Sequence, residues 1–174
     1  MENDLKFLKY IVARLEHAGI SCIVFGGWAE ELAGVIAPRP HGDIDLLYLS
    51  NDFEKVDSFI KNESDITEIS AKHFSHKRAF LCNDVMVEIM LVSCRGERFL
   101  TNFWGEYEFE WPKISTIRII DDLNKSEILA CAPQVVNYYH QYEGQIAELR
   151  ARHVHGYVLS SHAICLHDDK TNRS

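Results

Sequence analysis

The spacing of hydrophobic residues changes several times along the chain, and each change predicts a new element of secondary structure. Residues 4–18 have the 3.6-residue period of an amphipathic helix, which Gly19 ends. The apolar stripe of this helix consists of Leu5, Leu8, Ile11, Val12 and Leu15. The apolar stretch ISCIVF (20–25) then predicts a buried strand, and WAEELAGV (28–35) predicts a short helix after a glycine turn.

A second strand and a third helix are predicted next. Residues 43–49, DIDLLYL, have the composition of a strand. Either Asn51 or Asp52 is expected to cap a helix over about 53–61, because both residue types accept hydrogen bonds from the first helical N–H groups. The side chains that this helix is expected to bury are Phe53, Val56, Phe59 and Ile60.

The middle of the chain consists mainly of segments that resemble strands. They are ITEIS (66–70), KRAFLC (77–82), VMVEIMLV (85–92), FWGEYEFEW (103–111) and STIRII (115–120). Asn83-Asp84 predicts a hairpin turn between two of them. A last helix is expected from Pro133 to about Arg150, although Gly144 is a poor helix former. This order predicts an α/β (α+β) fold, a mixed β-sheet flanked by helices, with a short C-terminal helical part.

Composition and charge narrow the class of protein. The formal charge of the 174 residues is −8, and this argues against a nucleic-acid partner because phosphate-binding proteins are normally basic. The negative charge would favour binding of a cationic small molecule. The five cysteines form no Cys-x-x-Cys pair, which indicates reduced thiols and a cytoplasmic location. We expect no membrane association, since there is no signal peptide and no apolar run of membrane-spanning length.

Two acids in the stretch HGDIDLLYL (41–49) indicate chemistry. Side chains alternate along a strand, so Asp43 and Asp45 share one face while Ile44 enters the core. Two neighbouring carboxylates repel each other and raise each other's pKa. A divalent cation removes this repulsion, and magnesium is commonly held by one or two carboxylates together with substrate phosphates. The pair therefore predicts a magnesium site, with solvated acids at a strand edge as the alternative.

Three other residues support the prediction of a site. Gly26 and Gly27 lie between an apolar strand and a helix, and glycines allow a backbone to approach a ligand closely. A tight turn without a ligand is the alternative for them. Glu88 lies within the apolar strand VMVEIML, where an ionised acid is costly unless it is paired or bound to a metal. An edge position facing water is the alternative for Glu88.

The segment GGWAEELAGVIAPRPHGDIDLL (26–47) resembles the signature of the nucleotidyltransferase superfamily related to DNA polymerase β. Its details are similar to the small aminoglycoside and lincosamide nucleotidyltransferases, in which a GGW turn opens a helix and Arg-x-His precedes the two acids. The matching residues here are Gly26, Gly27, Trp28, Arg39, His41, Asp43 and Asp45. CAPQVVNYYHQYEG (131–144) also resembles the start of the C-terminal helical part of these proteins, so the resemblance covers roughly residues 4–149.

The resemblance implies a metal-dependent reaction. Two magnesium ions would bind Asp43 and Asp45 together with the triphosphate of ATP or another nucleoside triphosphate. The Gly26–Gly27 turn would bind phosphates through its backbone N–H groups. Glu88 is implied to be the third acid, which either accepts the hydroxyl proton of the acceptor or holds a metal.

The resemblance also implies roles for the loop before the acids. Arg39 is implied to contact phosphate or to hold the loop, and His41 either contacts phosphate or braces the loop. Residues 1–121 would form the nucleotidyltransferase core, and residues 122–174 a C-terminal helical part with a polar tail. Trp28 is expected to be a core residue.

The function implied is transfer of a nucleoside monophosphate, AMP from ATP, to a hydroxyl of a small molecule. The expected acceptor is an aminoglycoside or lincosamide antibiotic, and the acidic composition favours the polycationic aminoglycosides. One alternative is a minimal nucleotidyltransferase module of a toxin–antitoxin pair that modifies a protein or RNA. Another is a degenerate fold kept for binding, which the intact acids argue against.

Overall fold

The elements of the fold are defined in a computed structural model that describes residues 2–120 and 127–153. The helices are α1 (Leu5–His17), α2 (Gly26–Leu32), α3 (Glu54–Asn62), α4 (Pro133–His140) and α5 (Glu143–His153). The strands are β1 (Cys22–Phe25), β2 (Asp43–Leu49), β3 (Ile66–Glu68), β4 (Lys77–Cys82), β5 (Val85–Arg95), β6 (Arg98–Phe103), β7 (Tyr107–Trp111), β8 (Thr116–Ile120) and β9 (Glu127–Cys131). A single 3-10 turn, Ser70–Lys72, precedes β4.

Seven of the strands form one mixed sheet in the order β3-β4-β5-β2-β1-β9-β8. The pairs β2–β5 and β1–β9 are parallel, and the other neighbouring pairs are antiparallel. The end of the long strand β5 also pairs with β6, which continues into the β6–β7 hairpin. The structure therefore confirms the predicted α/β (α+β) class with a mixed sheet and flanking helices.

The first and third helices form where the hydrophobic pattern predicts them. Asp4 caps α1 by accepting a hydrogen bond from the N–H of Phe7 at 2.7 Å. Leu5 was expected in the buried stripe, but it is exposed because it lies in the first turn, and Phe7 is buried instead. Asp52, rather than Asn51, accepts the N–H of Glu54 at the start of α3. The four residues predicted to be buried here are buried in the structure: Phe53, Val56, Phe59 and Ile60.

The turn between β4 and β5 follows the prediction from Asn83-Asp84. Both residues have positive φ, at 50° and 64°. A two-residue hairpin needs this conformation because its twist then matches that of the two strands. The turn fixes the register of β4 against β5, in which Ala79 lies opposite Glu88.

Two predicted elements are divided in the structure. The segment 103–111 was predicted as one strand, but β6 ends at Phe103 and β7 begins after a turn in which Trp104 and Gly105 have positive φ. The predicted helix from Pro133 to Arg150 is interrupted at Gln141 and Tyr142, where the backbone hydrogen bonds tighten to i→i−3.

The C-terminal range contributes to the sheet as well as to the helices. Strand β9 was not predicted, and it pairs with β1 through Val24 and Ala130. The sheet thus extends beyond residue 121, into the range that we assigned to the C-terminal helical part. The predicted polar tail, 154–174, lies outside the described residues.

Two further observations concern the described part of the chain. The cysteines at 22, 82, 94 and 131 are all free thiols. Across residues 2–120 and 127–153, no helix has the length and hydropathy needed to cross a bilayer.

Candidate active site

Three carboxylates lie together on one face of the central sheet. Asp43 and Asp45 alternate with the fully buried Ile44 along β2, as the sequence predicted. The parallel register between β2 and β5 places Asp45 directly beside Glu88, and Asp43 beside Met86. Glu88 therefore joins the two aspartates across the strand pair, although 43 residues separate it from Asp45 in sequence.

The electrostatics of the aspartate pair favour a bound cation. Burial raises the pKa of Asp45 to about 7, with further contributions from the charges of Asp43 and Glu88. The pKa of Asp43 is also raised, by burial and by the charge of Glu88. A cation placed between the two carboxylates would reverse these effects, because it stabilises their ionised forms.

The donor set of the aspartate pair fits magnesium, which prefers carboxylate oxygens and usually keeps several ligands from water or substrate. Two protein carboxylates with room for phosphate oxygens suit that preference better than a closed protein cage. Across residues 2–120 and 127–153, no group of three or more His, Cys, Asp or Glu side chains is arranged to hold a metal ion.

Glu88 is buried, with 6% of its surface exposed, so the alternative of an edge residue facing water is wrong. Each of its carboxylate oxygens accepts a hydrogen bond from a lysine ammonium group, Oε1 from Lys72 and Oε2 from Lys77. Burial alone would raise the pKa of Glu88, but the charges of Lys77 and Lys72 outweigh it and lower the pKa to about 2. Glu88 is therefore ionised and paired at neutral pH.

Gly26 and Gly27 were predicted to form a turn before the helix, but they are the first two residues of α2, and they lie directly against the aspartates. Gly26 has a φ of +61°, and a Cβ atom on it would lie 2.8 Å from Oδ2 of Asp45. Gly27 does not have a positive φ, but a Cβ there would lie 3.0 Å from Nδ1 of His41. Gly26 is therefore needed both for space and for its conformation, whereas a side chain at Gly27 would require the ring of His41 to shift by a few tenths of an ångström.

A cleft of about 220 Å³ opens beside this turn. Its lining consists of Phe25, Gly27, Trp28, Arg39, Pro40, His41, Gly42, Asp43 and Asp45. The cleft thus brings together the predicted glycine turn, the Arg-x-His segment and both aspartates, while Glu88 lies on the other side of Asp45, on β5.

The loop that precedes the acids is held by several side chains. The Nε2 atom of His41 lies 2.8 Å from a carboxylate oxygen of Glu31, which also accepts the backbone N–H of Arg39 at 3.1 Å. The ring of His41 packs on the ring of Trp28 with a centroid distance of 4.2 Å. These contacts support the bracing role for His41. Trp28 is buried, as expected.

Asn3 connects the same loop to α2, a role that was not predicted from the sequence. Its side-chain amide donates hydrogen bonds to the backbone oxygens of His41 at 2.9 Å and Asp43 at 3.0 Å. Its side-chain oxygen accepts the indole N–H of Trp28 at 3.1 Å. Asn3 therefore fixes the start of β2, where the first aspartate lies.

Three basic residues near the acids were also missed. Lys72 comes from the 3-10 turn, Lys77 from β4 and Arg150 from α5. The positive charge of Arg150 acts on both Asp43 and Asp45 and opposes the rise in their pKa values. No local motif marks these residues, because only the long-range packing of the sheet and the last helix brings them to the site.

A second cavity, of about 280 Å³, contains none of the predicted site residues. It is lined by Asn51, Ser75, His76, Leu91, Ser93, Arg95, Leu100 and Asn102. The larger volume does not make it the better active-site candidate, because the coupled carboxylates lie in and beside the first cleft.

Comparison with known sequences gives no family assignment. The chain matches no protein-family model, and no curated protein sequence matches it. Comparison of structures does give matches. The lincosamide antibiotic adenylyltransferase LnuA, in its lincomycin-bound form, is 14% identical with a TM-score of 0.65, and the match covers 87% of this chain and 99% of LnuA.

Two other solved structures are similar over most of their lengths. ANT(2″)-Ia in complex with adenylyl-2″-tobramycin is 12% identical with a TM-score of 0.54, over 84% of this chain and 94% of that one. TM1012 from Thermotoga maritima, which is described as a nucleotidyltransferase, is 17% identical with a TM-score of 0.56, over 85% and 89% of the two chains. The protein therefore has the nucleotidyltransferase fold, as the sequence motif implied.

Proposed function

We propose that the protein is a magnesium-dependent nucleotidyltransferase that transfers AMP from ATP to a hydroxyl of an antibiotic. The observation that carries the proposal is the coupled pair Asp43 and Asp45 in a cleft formed with the Gly26–Gly27 turn. Neither feature alone is specific, since paired acids and glycine turns are both common. Together, on a nucleotidyltransferase fold, they support a site for a metal and a triphosphate.

The nucleotide would bind in the cleft beside α2. The Gly26–Gly27 turn carries no side chains, so phosphate oxygens can approach its backbone N–H groups. Arg39 lies on the same side, where its guanidinium is 3.4 Å from the position of a Cβ on Gly27. We assign Arg39 to phosphate binding. His41 shapes the cleft through Glu31 and lies next to the phosphate position.

Magnesium would be held by Asp43 and Asp45, with Glu88 as the third acid. When bound, divalent metal ions stabilise both the attacking and the leaving oxygens of an in-line displacement. The residues of the chain position the two substrates around the aspartates, with the triphosphate on the Gly26 side and the acceptor hydroxyl on the Glu88 side. Pyrophosphate is the leaving group.

The role of Glu88 is narrowed by its partners. A carboxylate with a pKa of about 2 is a weak proton acceptor at neutral pH. The same carboxylate is ionised, so it could hold a cation once one of the two lysine ammonium groups leaves its oxygens. We therefore favour cation binding over proton abstraction for Glu88 and expect Lys72 and Lys77 to hold its side chain in place.

The structural neighbours supply the acceptor classes. LnuA is a lincosamide adenylyltransferase in a lincomycin-bound form, and ANT(2″)-Ia was solved with adenylylated tobramycin. The name of LnuA specifies transfer of an adenylyl group to a lincosamide, and the ligand of ANT(2″)-Ia is an adenylylated aminoglycoside. We infer the same reaction class for this chain by analogy of fold, and the pairing of Asp45 with Glu88 beside Asp43 supports it physically.

The experiment is a panel of lincosamides and aminoglycosides incubated with ATP and magnesium, in which pyrophosphate release is followed. We expect release with at least one antibiotic and a product heavier by one AMP. Omission of magnesium or replacement of Asp43 by Asn should abolish release. If no antibiotic supports release but ATP labels a protein or RNA partner, the toxin–antitoxin module would be the better assignment.

A further inference from the structure

The first residues of β2 extend beyond the end of the neighbouring strand β1. The last pair between these two strands joins Phe25 to Asp45, and Asp43 lies beyond that pair. On the other side of β2, Asp43 is the first residue that pairs with β5. The start of β2 is therefore supported by the sheet on one side, and its position depends on other contacts as well.

Asn3 supplies such contacts through a single side chain. Its amide nitrogen donates hydrogen bonds to the backbone oxygens of His41 at 2.9 Å and Asp43 at 3.0 Å. Its amide oxygen accepts the indole N–H of Trp28 at 3.1 Å. An asparagine amide has donors at one end and an acceptor at the other, so these three bonds use both ends and fix its orientation. Asn3 thus connects the start of β2 to α2.

The position of Asn3 is itself fixed by the first helix. Asn3 directly precedes Asp4, which caps α1 by accepting the N–H of Phe7. Phe7 and Leu8, in the first turns of α1, are fully buried in the core. Because α1 is anchored in this way, the side chain of Asn3 holds the start of β2 at a defined place relative to the core.

This spacing matters for the proposed ligands. Magnesium would bind the carboxylate of Asp43 and phosphate oxygens at the same time, and it requires close to ideal octahedral geometry. The phosphates would lie on Gly26 and Gly27, at the start of α2. The affinity for magnesium together with nucleotide therefore depends on the distance between α2 and the start of β2, and a displacement of about 1 Å is costly in such a site.

We propose that Asn3 is a positioning residue that couples magnesium binding to nucleotide binding. Asn3 acts through Trp28 and through the backbone of Asp43, and it needs no contact with either ligand. The inference rests on the proposed function and adds a residue that lies outside the segment 26–47. Without Asn3, α2 and the aspartates keep all their binding groups, but the spacing between them is no longer fixed. Nucleotide should then gain less affinity from magnesium.

The test is calorimetric titration of a non-hydrolysable ATP analogue into the protein, once with magnesium and once with EDTA. The ratio of the two Kd values measures the coupling between metal and nucleotide. We expect magnesium to tighten binding to the native protein by about tenfold or more, in the usual range for coupled sites. Asn3→Leu has a similar size and no hydrogen-bonding group. It should reduce this ratio by about fivefold and leave the Kd in EDTA nearly unchanged.

Asp4→Ala is the matched control at the next residue. This variant loses the hydrogen bond that caps α1, so its melting temperature should fall. It keeps Asn3, and the ratio of Kd values should therefore stay at the native value. The melting temperatures of all variants are measured first, and Asn3→Ala replaces Asn3→Leu if the larger apolar side chain prevents folding.

The outcomes separate the inference from the proposed function. A native protein whose nucleotide affinity does not depend on magnesium would contradict the proposed function, and the coupling role with it. Magnesium dependence that persists unchanged in Asn3→Leu or Asn3→Ala would overturn the inference alone. An equal reduction of the ratio in Asp4→Ala would also overturn it, because the effect would then follow from lower stability rather than from the contacts of Asn3.

Discussion

The carboxylate of Asp45 occupies the space that a side chain on Gly26 would need. Its Oδ2 atom lies 2.8 Å from the position of a Cβ on Gly26, and Gly26 has a φ of +61°. Real Cβ atoms do not approach an oxygen so closely, and residues with side chains rarely adopt this φ. The glycine turn and the second aspartate are therefore one structural unit, and a change in the first has to move the second.

Gly26→Ala should abolish activity by displacing Asp45, and Gly34→Ala is the matched control. Gly34 also has a positive φ, +70°, but a Cβ on it would meet nothing within 4 Å. Both variants should lose about 1–2 kcal/mol of stability from backbone strain. Only Gly26→Ala should also lose nucleotide affinity and turnover. Urea unfolding and calorimetric titration of the nucleotide would separate the two effects. Equal affinities in both variants would show that the contact has no role in binding.

Glu88→Gln should lower both stability and turnover, because the two lysines lose the carboxylate that holds them. Breaking a buried ion pair from one side costs about 3–5 kcal/mol. Turnover should fall by about 10- to 100-fold, the usual cost of losing a group that supports a metal site. Thermal unfolding and pyrophosphate release would measure the two effects.

A matched control for Glu88→Gln is available on β3. Glu68 pairs with His73 at 2.6 Å, but both side chains are well exposed. Exposed pairs contribute about 1 kcal/mol or less. Glu68→Gln should therefore change neither stability nor turnover appreciably. If Glu88→Gln behaves like Glu68→Gln, the Lys72–Glu88–Lys77 group would not be part of the site.

Asp45 should make the metal-free protein less stable as pH rises. Its pKa is raised from 3.8 in the unfolded chain to about 7, so the folded state holds a proton that the unfolded state releases. The corresponding stability is complete below the unfolded pKa and is lost as pH rises through about 7. At most about 4 kcal/mol is involved, because one pKa unit corresponds to about 1.4 kcal/mol.

The measurement is the melting temperature with EDTA, from about pH 4 to about pH 8, for the native protein and Asp45→Asn. The native protein should lose stability relative to the variant as pH rises through this window. Glu88 does not confuse the comparison, since its lowered pKa of about 2 affects stability only in more acidic solution. If the difference in melting temperature between the native protein and Asp45→Asn did not change with pH, the pKa of Asp45 would not be raised in the folded state.

The sequence predicted the parts of the site that follow local rules. The alternation of side chains along a strand placed both aspartates on one face. Glu88 was identified because it is an acid within an otherwise apolar strand. The glycines and the Arg-x-His segment belong to one continuous stretch, so their proximity needed no knowledge of the fold. The hairpin at Asn83-Asp84 was predictable for a similar reason, because two adjacent residues determine it.

The rest of the site depends on contacts between distant segments. Asn3 reaches the loop before β2 from the start of the chain, and Lys72 reaches Glu88 from a 3-10 turn with no sequence signature. Strand β9 is short, and its place in the sheet depends on pairing with β1, which is distant in sequence, as well as with β8. The break between α4 and α5 lies at Gln141 and Tyr142, and neither residue is a glycine or a proline that would have predicted it.

The most direct test of the account is the effect of magnesium and ATP on the melting temperature of the native protein and of Asp45→Asn, with turnover measured in parallel. A ligand that binds only the folded state stabilises it, by about 2.7 kcal/mol at a hundred times its Kd. The native protein should gain this stability, and Asp45→Asn should lose both the gain and the turnover while remaining folded. A native protein without a ligand-dependent shift, or a variant that keeps the shift and the turnover, would contradict the assignment of Asp43 and Asp45 as the metal–nucleotide site.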